Sequence, residues 1–554
     1  MRAHLLQRVH RLSLVVPFAV AAVAWSCGGS TLGGSAHDSG PGSMNDGGGP
    51  SNDAGEPQPD SATGNDAATG RDASAGGTIR VASGDYLVLW GVTGDGFAIY
   101  STGASSPSFY AVSLSGGAPV PIAQTSGSGY PFAVVQQNVA FVYTNPDQYY
   151  VGPVTAWTSG GGAHQLSAAS YYLTGASSDS SHIAYLDNVS EQSGDAGLAI
   201  VGDLYGANAD GSGAKLLQAG VSGWYLANGG GSSSCYTYFA FAGSYAVLFA
   251  CSQSGGTTTE QVWSYPSPGW QGAQIVANAT SLSGFDNAGT QALVTTSAGL
   301  QSVPLAGGAA ATIDPTGAAG LFTSDGKNVV YVTTMGALAR SPVASPAPQQ
   351  LVASGVEGLW AISPDDKSVL LFESYSQQTG LTDLYIASAA TAGNATPLVS
   401  AQTAMVGGPN SYMSGNAFSA DSSHALFWSG VAIPMGQQYF PVIGTLQSGP
   451  AGATAMAAQL GKNSNAAWAV GGSTIAFADN LAMVGNSAST FDIEWVDTSK
   501  TTPATTVVKG AIGSTGGAPF YVTPSHDRAV YVGSEPVDAG DAGSILDLYT
   551  APLP

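Results

Sequence analysis

Charged residues are scarce in this chain of 554 residues: Asp, Glu, Lys and Arg together make up only 9%, and 13 basic side chains stand against 35 acidic ones. The formal net charge at pH 7 is therefore −22. Nucleic-acid binding requires clustered Lys and Arg, so this composition excludes a nucleic-acid partner. Anionic membrane surfaces would repel such a chain, so we expect any membrane attachment to be through a covalent lipid anchor.

The sequence also lacks long apolar stretches of helical period and the short motifs of common enzymes. We find no Gly-x-Ser-x-Gly, no Gly-x-x-x-x-Gly-Lys and no His-Glu-x-x-His. After the first 40 residues only four His remain, and three of them recur in similar polar turns, where a bond to the backbone explains them. We therefore assign no catalytic residue, no metal site and no cofactor, and we do not expect an enzyme.

What is present is a repeated unit, a tight polar turn followed by an apolar segment that ends in an aromatic residue. One copy runs from Ser363-Pro364-Asp365-Asp366-Lys367 into Ser368-Val369-Leu370-Leu371-Phe372. Asp and Ser side chains favour turns because they bond to their own backbone. The unit recurs roughly every 40 to 55 residues, as expected for a repeat architecture. The ten turns lie near Asp95, Gln137, Asp179, Gly243, Asn287, Asp325, Asp365, Asp421, Gly471 and Asp527.

A second landmark, Asp-Leu-Tyr or a variant of it, follows the turn in several units and begins at Asp203, Asp383, Asp492 and Asp547. One unit thus reads as four strands joined by turns, which is an antiparallel propeller blade. The pattern resembles the TolB-type (WD40-like) β-propeller repeat of bacterial lipoproteins, best over residues 177–217 and 363–398. This resemblance implies the fold, whereas function does not follow from it.

We predict an all-β fold over residues 78–554, a β-propeller of about eight to ten four-stranded antiparallel blades. The last unit ends at Leu548-Tyr549-Thr550 after its third strand, and residues 78–82 form an unmatched strand ahead of the first unit. Pairing these two strands would close one ring and remove exposed sheet edges. The alternative is two tandem propellers.

The N-terminus has the form of a bacterial export signal, with three Arg ahead of an apolar segment at residues 12–24. Ser26-Cys27-Gly28 then resembles a lipobox, which implies cleavage after residue 26 and lipidation of Cys27. Ordinary signal cleavage beside an incidental Cys is the alternative. Residues 27–77 contain almost nothing apolar and are predicted to be a disordered tether. We expect an exported protein, lipid-anchored in the bacterial cell envelope at the outer membrane.

The two remaining cysteines, Cys235 and Cys251, are placed symmetrically about Gly243. A hairpin with a three-residue loop centred on Gly243 would put them directly opposite each other, within reach of a disulfide. Export would preserve such a bond. Two buried free thiols are the alternative, because a shift of one residue in the register separates the pair.

Two classes of function remain open from the sequence. The first is a binding or scaffold module for an envelope protein, peptide or glycan, with Trp263, Tyr265 and Trp270 as the candidates for an exposed recognition surface. The second is a propeller enzyme, a lyase or a glycosidase, with its site in the central channel. That enzyme would need convergent acid and base residues, and the sequence identifies none.

Overall fold

The computed structural model describes most of residues 77–553. The residues left out of the description are 104–105, 127–128, 130, 147–150, 172–173, 195–196, 228–234, 255–256, 377–380, 407–413, 433–441, 452–456, 485–487, 501–502, 515–517 and 535–544. The predicted signal, Cys27 and all of the predicted tether except its last residue, Gly77, lie outside the described part. Within that part every regular element is a β-strand, and no helix capable of spanning a membrane is found.

The strands form ten consecutive blades, as predicted. The N-terminal strand is β1 (Ile79–Asp85). The first five blades contain β2 (Val88–Val92), β3 (Phe97–Thr102), β4 (Ser108–Ser113), β5 (Val120–Gln124); β6 (Phe132–Gln136), β7 (Val139–Tyr143), β8 (Gly152–Thr158), β9 (Gly162–Ser170); β10 (Thr174–Ala176), β11 (His182–Gly194), β12 (Gly197–Asn208), β13 (Lys215–Ala227), with β14 (Cys235–Tyr236) added at its edge; β15 (Tyr238–Ala242), β16 (Tyr245–Ser254), β17 (Thr257–Pro266), β18 (Ala273–Ala277); and β19 (Ala279–Phe285), β20 (Gln291–Thr296), β21 (Gly299–Pro304), β22 (Ala311–Asp314).

The second half of the ring continues the same order. It contains β23 (Gly317–Phe322), β24 (Asn328–Thr333), β25 (Leu338–Pro342), β26 (Gln349–Val352); β27 (Gly358–Ile362), β28 (Ser368–Glu373), β29 (Thr382–Ser388), β30 (Thr396–Ala404); β31 (Ser414–Gly415), β32 (His424–Ala432), β33 (Ile443–Pro450), β34 (Ala458–Ser464); β35 (Ala466–Gly471), β36 (Thr474–Val484), β37 (Ala488–Asp497), β38 (Thr505–Ser514); and β39 (Phe520–Val522), β40 (Arg528–Ser534), β41 (Ile545–Pro552).

Blade 8 is the irregular member. Its first strand is reduced to a short segment in which the Ala417 carbonyl accepts a hydrogen bond from Leu426 N at 2.9 Å and Phe418 forms a bridge with Ala425. The preceding β31 instead pairs in parallel with β35 of blade 9.

Burial within each blade follows the position of the strand. The second strands, such as β7 with the sequence Val-Ala-Phe-Val-Tyr, are buried on both faces because each lies between two neighbouring blades. The fourth strands, such as β5 and β18, are the most exposed and form the outer rim. The first strands contact one another from blade to blade and surround the axis.

Ten clusters of buried apolar side chains hold the blades together, one at each junction between neighbours. The decisive cluster joins the last blade to the first: Val530 and Leu548 of blade 10 pack with Leu89 and Tyr100 of blade 1. Each large buried side chain contributes roughly 1.5–3 kcal/mol relative to exposure. The protein is therefore one closed ring of ten blades, and the alternative of two tandem propellers is wrong.

The predicted closure by the two ends of the chain is confirmed. β1 pairs antiparallel with β41 from Ile79 opposite Thr550 to Asp85 opposite Ile545, and it thereby becomes the fourth strand of blade 10. Arg80 Nη1 also lies 3.6 Å from the buried Asp547 Oδ2 across this pair. The edge of β41 is consequently covered rather than exposed.

Candidate functional site

Five of the turns between first and second strands, in blades 1, 3, 6, 7 and 8, are built alike, and blade 7 shows the pattern. Ser363 Oγ donates a hydrogen bond to Asp365 Oδ1 at 2.7 Å, and the same carboxylate oxygen accepts a hydrogen bond from Lys367 N at 3.2 Å. Ser368 N in turn donates to Ser363 Oγ at 2.9 Å. Asp366 takes a left-handed φ of 60° at the tip, which Asp tolerates better than most residues. The turn is thus stabilised by its own side chains, as the Ser and Asp of the repeat predict.

These turns all lie at one end of the ring, which we call the turn face. In every blade for which the bond is described, the chain leaving the third strand donates a backbone hydrogen bond to the turn before the second strand. Examples are Leu114 N to Gly96 O at 3.0 Å and Ala389 N to Lys367 O at 2.8 Å. The loops between second and third strands lie at the other end, which we call the opposite face.

Neighbouring turns are also bonded to each other around much of the ring. Among these bonds are Gly94 N to Gln137 O at 3.0 Å, Asn138 N to Ser180 Oγ at 3.1 Å, Asn287 Nδ2 to Ser324 O at 2.9 Å, Ser324 Oγ to Asp366 Oδ2 at 2.6 Å, Asp365 N to Ser422 Oγ at 3.0 Å and Asp421 N to Gly472 O at 3.0 Å. The turn face is consequently one hydrogen-bonded belt rather than a set of independent loops.

Among the described residues, no hydrogen bond joins the turns of blades 3 and 4 or those of blades 4 and 5, and the belt is also interrupted at the seam between blade 10 and blade 1. In the described part of the chain, no hydrogen bond joins the turn at residues 523–527 to the turn at residues 93–96. A cleft of about 470 Å³ lies there instead. We call it the seam cleft; its lining includes Asp95, Ser113, Ser115, Ser525, Asp527 and Arg528.

Arg528 also holds the two ends of the chain together beside this cleft. Its Nε donates to Thr550 Oγ1 at 3.0 Å, and its Nη2 donates to Thr550 O at 3.1 Å and to Gly77 O at 2.9 Å. In the other blades a covalent turn connects the third strand to the fourth. Blade 10 lacks that turn because its fourth strand comes from the N-terminus, and Arg528 supplies a noncovalent replacement.

The turn face is negatively charged because its aspartates are stabilised as carboxylates. The hydrogen bond from Ser177, followed by bonds from Ser181, lowers the pKa of Asp179 to about 2. The backbone N–H of Lys327 lowers the pKa of Asp325, and the Ser525 hydroxyl lowers that of Asp527. Hydrogen bonds to the charged form account for these shifts.

The three repeat histidines do not converge on a site. His182 packs edge-on against the Trp270 ring at a centroid distance of 5.8 Å, His424 Nδ1 lies 3.1 Å from Thr498 Oγ1, and His526 Nδ1 lies 3.0 Å from Ala469 O. Each of the three histidines contacts a different residue of an adjacent blade. Over the described ranges, no group of three or more His, Cys, Asp or Glu side chains is placed to share a metal ion.

The wall around the axis is built from apolar and small residues. The first strands read Val-Leu-Trp-Gly-Val, Phe-Ala-Val-Val-Gln, Thr-Gly-Ala, Tyr-Phe-Ala-Phe-Ala, Ala-Thr-Ser-Leu-Ser-Gly-Phe, Gly-Ala-Ala-Gly-Leu-Phe, Gly-Leu-Trp-Ala-Ile, Ala-Ala-Trp-Ala-Val-Gly and Phe-Tyr-Val. Half-buried aromatic side chains are continuous across the seam: Trp468 lies 6.3 Å from Tyr521 between ring centroids, and the Tyr521 hydroxyl donates to Trp90 O at 3.0 Å.

Comparison with known proteins adds no family. No family model matches the chain, and no curated protein matches it. Similar solved structures include TolB from Acinetobacter baumannii (13% identity, TM-score 0.23, 67% of this chain and 80% of that one) and BamB from Moraxella catarrhalis (10%, 0.30, 77% and 99%). An oligogalacturonate lyase in complex with manganese is also similar (9%, 0.28, 56% and 97%). The propeller assignment rests on the geometry of the chain itself.

The prediction that Trp263, Tyr265 and Trp270 form an exposed recognition surface is wrong. Tyr265 and Trp270 are 2% and 5% exposed, and Trp263 is half-buried against the same core between blades 3 and 4. The turn after β17 folds Trp270 back over Gly206, where a Cβ would come within 2.7 Å of the indole ring. The missing side chain at Gly206 makes room for the ring, a complementarity between blades that the sequence pattern did not reveal.

The predicted register around Gly243 is also wrong. Ala242 pairs with Tyr245, so the loop has two residues rather than three, and β14 pairs with β13 of blade 3 instead of extending the hairpin. Cys251 is 3% exposed on β16 of blade 4, whereas the Cys235 side chain lies outside the described part. The Cys235–Cys251 disulfide stays a prediction, now between strands of neighbouring blades.

Proposed function

We propose that this protein is a lipid-anchored cell-envelope protein whose propeller is a rigid binding or scaffold module for a protein, peptide or glycan. The observation that carries this proposal is the turn face: a belt of turns that are bonded from blade to blade at most of the junctions, with a cleft at the seam. Such a surface is largely pre-organised, so little conformational entropy is lost when a partner binds. The polar and mostly ionised groups of the belt would give orientation and specificity.

The same proposal places the partner on the turn face and not in the channel. The first strands supply apolar, aromatic and small side chains to the axis, a composition that suits packing and surface contact. A lyase or glycosidase would need an acid and a base positioned at one bond. The enzyme therefore remains the competing hypothesis, and it predicts a partner held at the axis.

The location proposed for this module follows from the N-terminal sequence. A lipid on Cys27 would hold the protein at the membrane, and residues 28–76 would separate the ring from it. Because Gly77, two residues before β1, accepts a hydrogen bond from Arg528, the tether would join the ring at the turn face. The proposed binding surface would then be the side of the ring to which the tether is attached.

Site-specific photo-crosslinking in the bacterial host tests this proposal. A crosslinking residue at Lys327 or Lys500 samples the turn face, where both side chains are mostly exposed. Matched positions at Met335 and Tyr86, 75% and 67% exposed, sample the opposite face. We expect a discrete adduct from the turn-face positions only. Adducts from the opposite face alone, or equal non-specific labelling from all four positions, would contradict the proposal.

A further inference from the structure

The seam cleft has the chemistry of a small-ligand site, and we propose that it binds neutral sugar residues of a glycan. This inference rests on the proposed binding function and names one ligand class for it. The cleft volume of about 470 Å³ falls within the range of about 300–1,000 Å³ typical of small-molecule sites.

Turn 10, which lines the cleft, departs from the repeat. Its residues Thr523-Pro524-Ser525-His526-Asp527 align with Ser363-Pro364-Asp365-Asp366-Lys367, and the tips match because His526 and Asp366 have φ of 61° and 60°. Ser525 thus replaces the usual Asp, and Asp527 replaces the Lys.

Asp95 in turn 1 and Ser525 in turn 10 occupy equivalent positions, and their hydrogen bonds differ. Asp95 accepts a hydrogen bond from Ser159, which lies in the outer turn of blade 2, the turn between its third and fourth strands. At the seam the equivalent residue is Ser525, whose hydroxyl bonds within its own turn to Asp527 and Thr523. No side chain spans the gap to the outer turn of blade 1 at Ser113–Ser115 in the described part of the chain, and the cleft remains open.

The cleft contains two carboxylates and one guanidinium, and the oxygens of Asp95 already accept the hydroxyls of Thr93 and Ser159. Asp527 Oδ1 accepts the hydroxyls of Thr523 and Ser525, and Oδ2 accepts no hydrogen bond from the described residues. Arg528 uses Nε and Nη2 to hold the chain ends, and its Nη1 makes no hydrogen bond with the part of the chain described. A pair of adjacent sugar hydroxyls fits this arrangement, because one hydroxyl can donate to the carboxylate while the other accepts from the guanidinium.

The surroundings favour a neutral sugar over other ligands. The ionised aspartates of the turn face would repel acidic glycans and phosphates. The cleft is lined by turns, so it offers no strand edge for an added peptide strand. Leu114 is buried and Pro524 is exposed; they are the large apolar lining residues, so a peptide side chain would find little to anchor it.

The test is a binding measurement with the purified full-length protein in detergent. Maltohexaose, cellohexaose and fully N-acetylated chitohexaose are the neutral probes, and binding is measured by calorimetry and by saturation-transfer NMR. We expect at least one to bind. Asp527→Asn should weaken binding about tenfold or more, as loss of a charged hydrogen bond does. Ser525→Asp should abolish binding, because it places a second carboxylate beside Asp527 at the mouth of the cleft.

Asp85→Asn is the matched control, because Asp85 is an exposed carboxylate on the opposite face. It should bind the sugar as the unmodified protein does, and all variants should melt near the unmodified protein. No binding of any of the three sugars, binding that survives Ser525→Asp, or preferential binding of lysine or glutamate would overturn the inference. A turn-face crosslink without sugar binding would overturn this inference and leave the proposed function in place. Sugar binding without a turn-face crosslink would support the sugar site and contradict the proposed function.

Discussion

Glu260 is one carboxyl group whose ionisation opposes folding. It lies on β17 opposite Cys251, and burial raises its pKa to about 7. At pH 6 the folded protein therefore retains a proton that the unfolded chain, with a pKa near 4.3, has already released. Raising the pH from about 4.5 to 7 removes that proton and lowers the free energy of unfolding.

Glu260→Gln should remove this pH dependence. The variant should melt at a higher temperature than the unmodified protein at pH 8 and at a similar temperature at pH 4. Thermal melts of both proteins from pH 4 to pH 8 check this prediction. The other titrating groups affect both proteins equally, so the difference in melting temperature at each pH reports Glu260 alone. A variant that is less stable at pH 8 would show that the ionised carboxylate has a stabilising partner.

Arg528 is the residue that replaces a covalent turn. Its three hydrogen bonds to Thr550 and Gly77 join strands from opposite ends of the chain. Arg528→Ala should lower the free energy of unfolding by about 1–3 kcal/mol, the usual range for buried or charged hydrogen bonds. Lys367→Ala is the control: its ion pair with Asp365 is exposed and should contribute less than about 1 kcal/mol. Equal effects of the two changes in denaturant melts would refute the role of Arg528.

At the scale of elements, β14 is the strand that tests the predicted disulfide. It pairs with β13 of blade 3 and contacts β16 of blade 4, so a Cys235–Cys251 bond would join two blades. Such a bond should contribute roughly 2–4 kcal/mol. Thiol labelling of the denatured, unreduced Cys27→Ala protein should find no reactive thiol. Two labelled thiols per chain would rule out the bond.

The elements were largely predictable from the sequence, because the Ser–Asp or Thr–Asp turn is local chemistry that recurs in five blades and sets the spacing of the other five. The turns proposed near Gln137 and Gly471 were found despite their degenerate sequences, since the spacing of the repeat located them. The register at Gly243 was not predictable, because a loop of two or three residues fits the same apolar pattern.

The burial of Trp270 depends on the absence of a side chain at Gly206 in another blade. The seam cleft depends on the meeting of two distant chain segments. The signal for that cleft was present in the sequence, as the departure of Thr523-Pro524-Ser525-His526-Asp527 from the repeat, but only the closed ring shows what lies opposite it.

At the scale of the whole molecule, the proposed lipid anchor would decide where the ring is held. The acidic surface is not attracted to anionic lipids, so the membrane attachment should depend on Cys27 alone. Cys27→Ala should move the protein from the membrane fraction to the soluble fraction without changing its melting temperature. Continued sedimentation of the variant with membranes, after a high-salt wash, would contradict the anchor.

Closure of a single ring by the N-terminal strand is the central structural claim, and two truncations test it directly. Deleting residues 28–76 removes only the predicted tether, so the melting temperature should stay nearly unchanged. Deleting residues 28–83 also removes most of β1, which uncovers β41 and takes Val81 and Ala82 out of the core between blades 10 and 1. We expect this second protein to melt several degrees lower or to be insoluble. If both truncated proteins melt alike, β1 does not close the ring and the account is wrong.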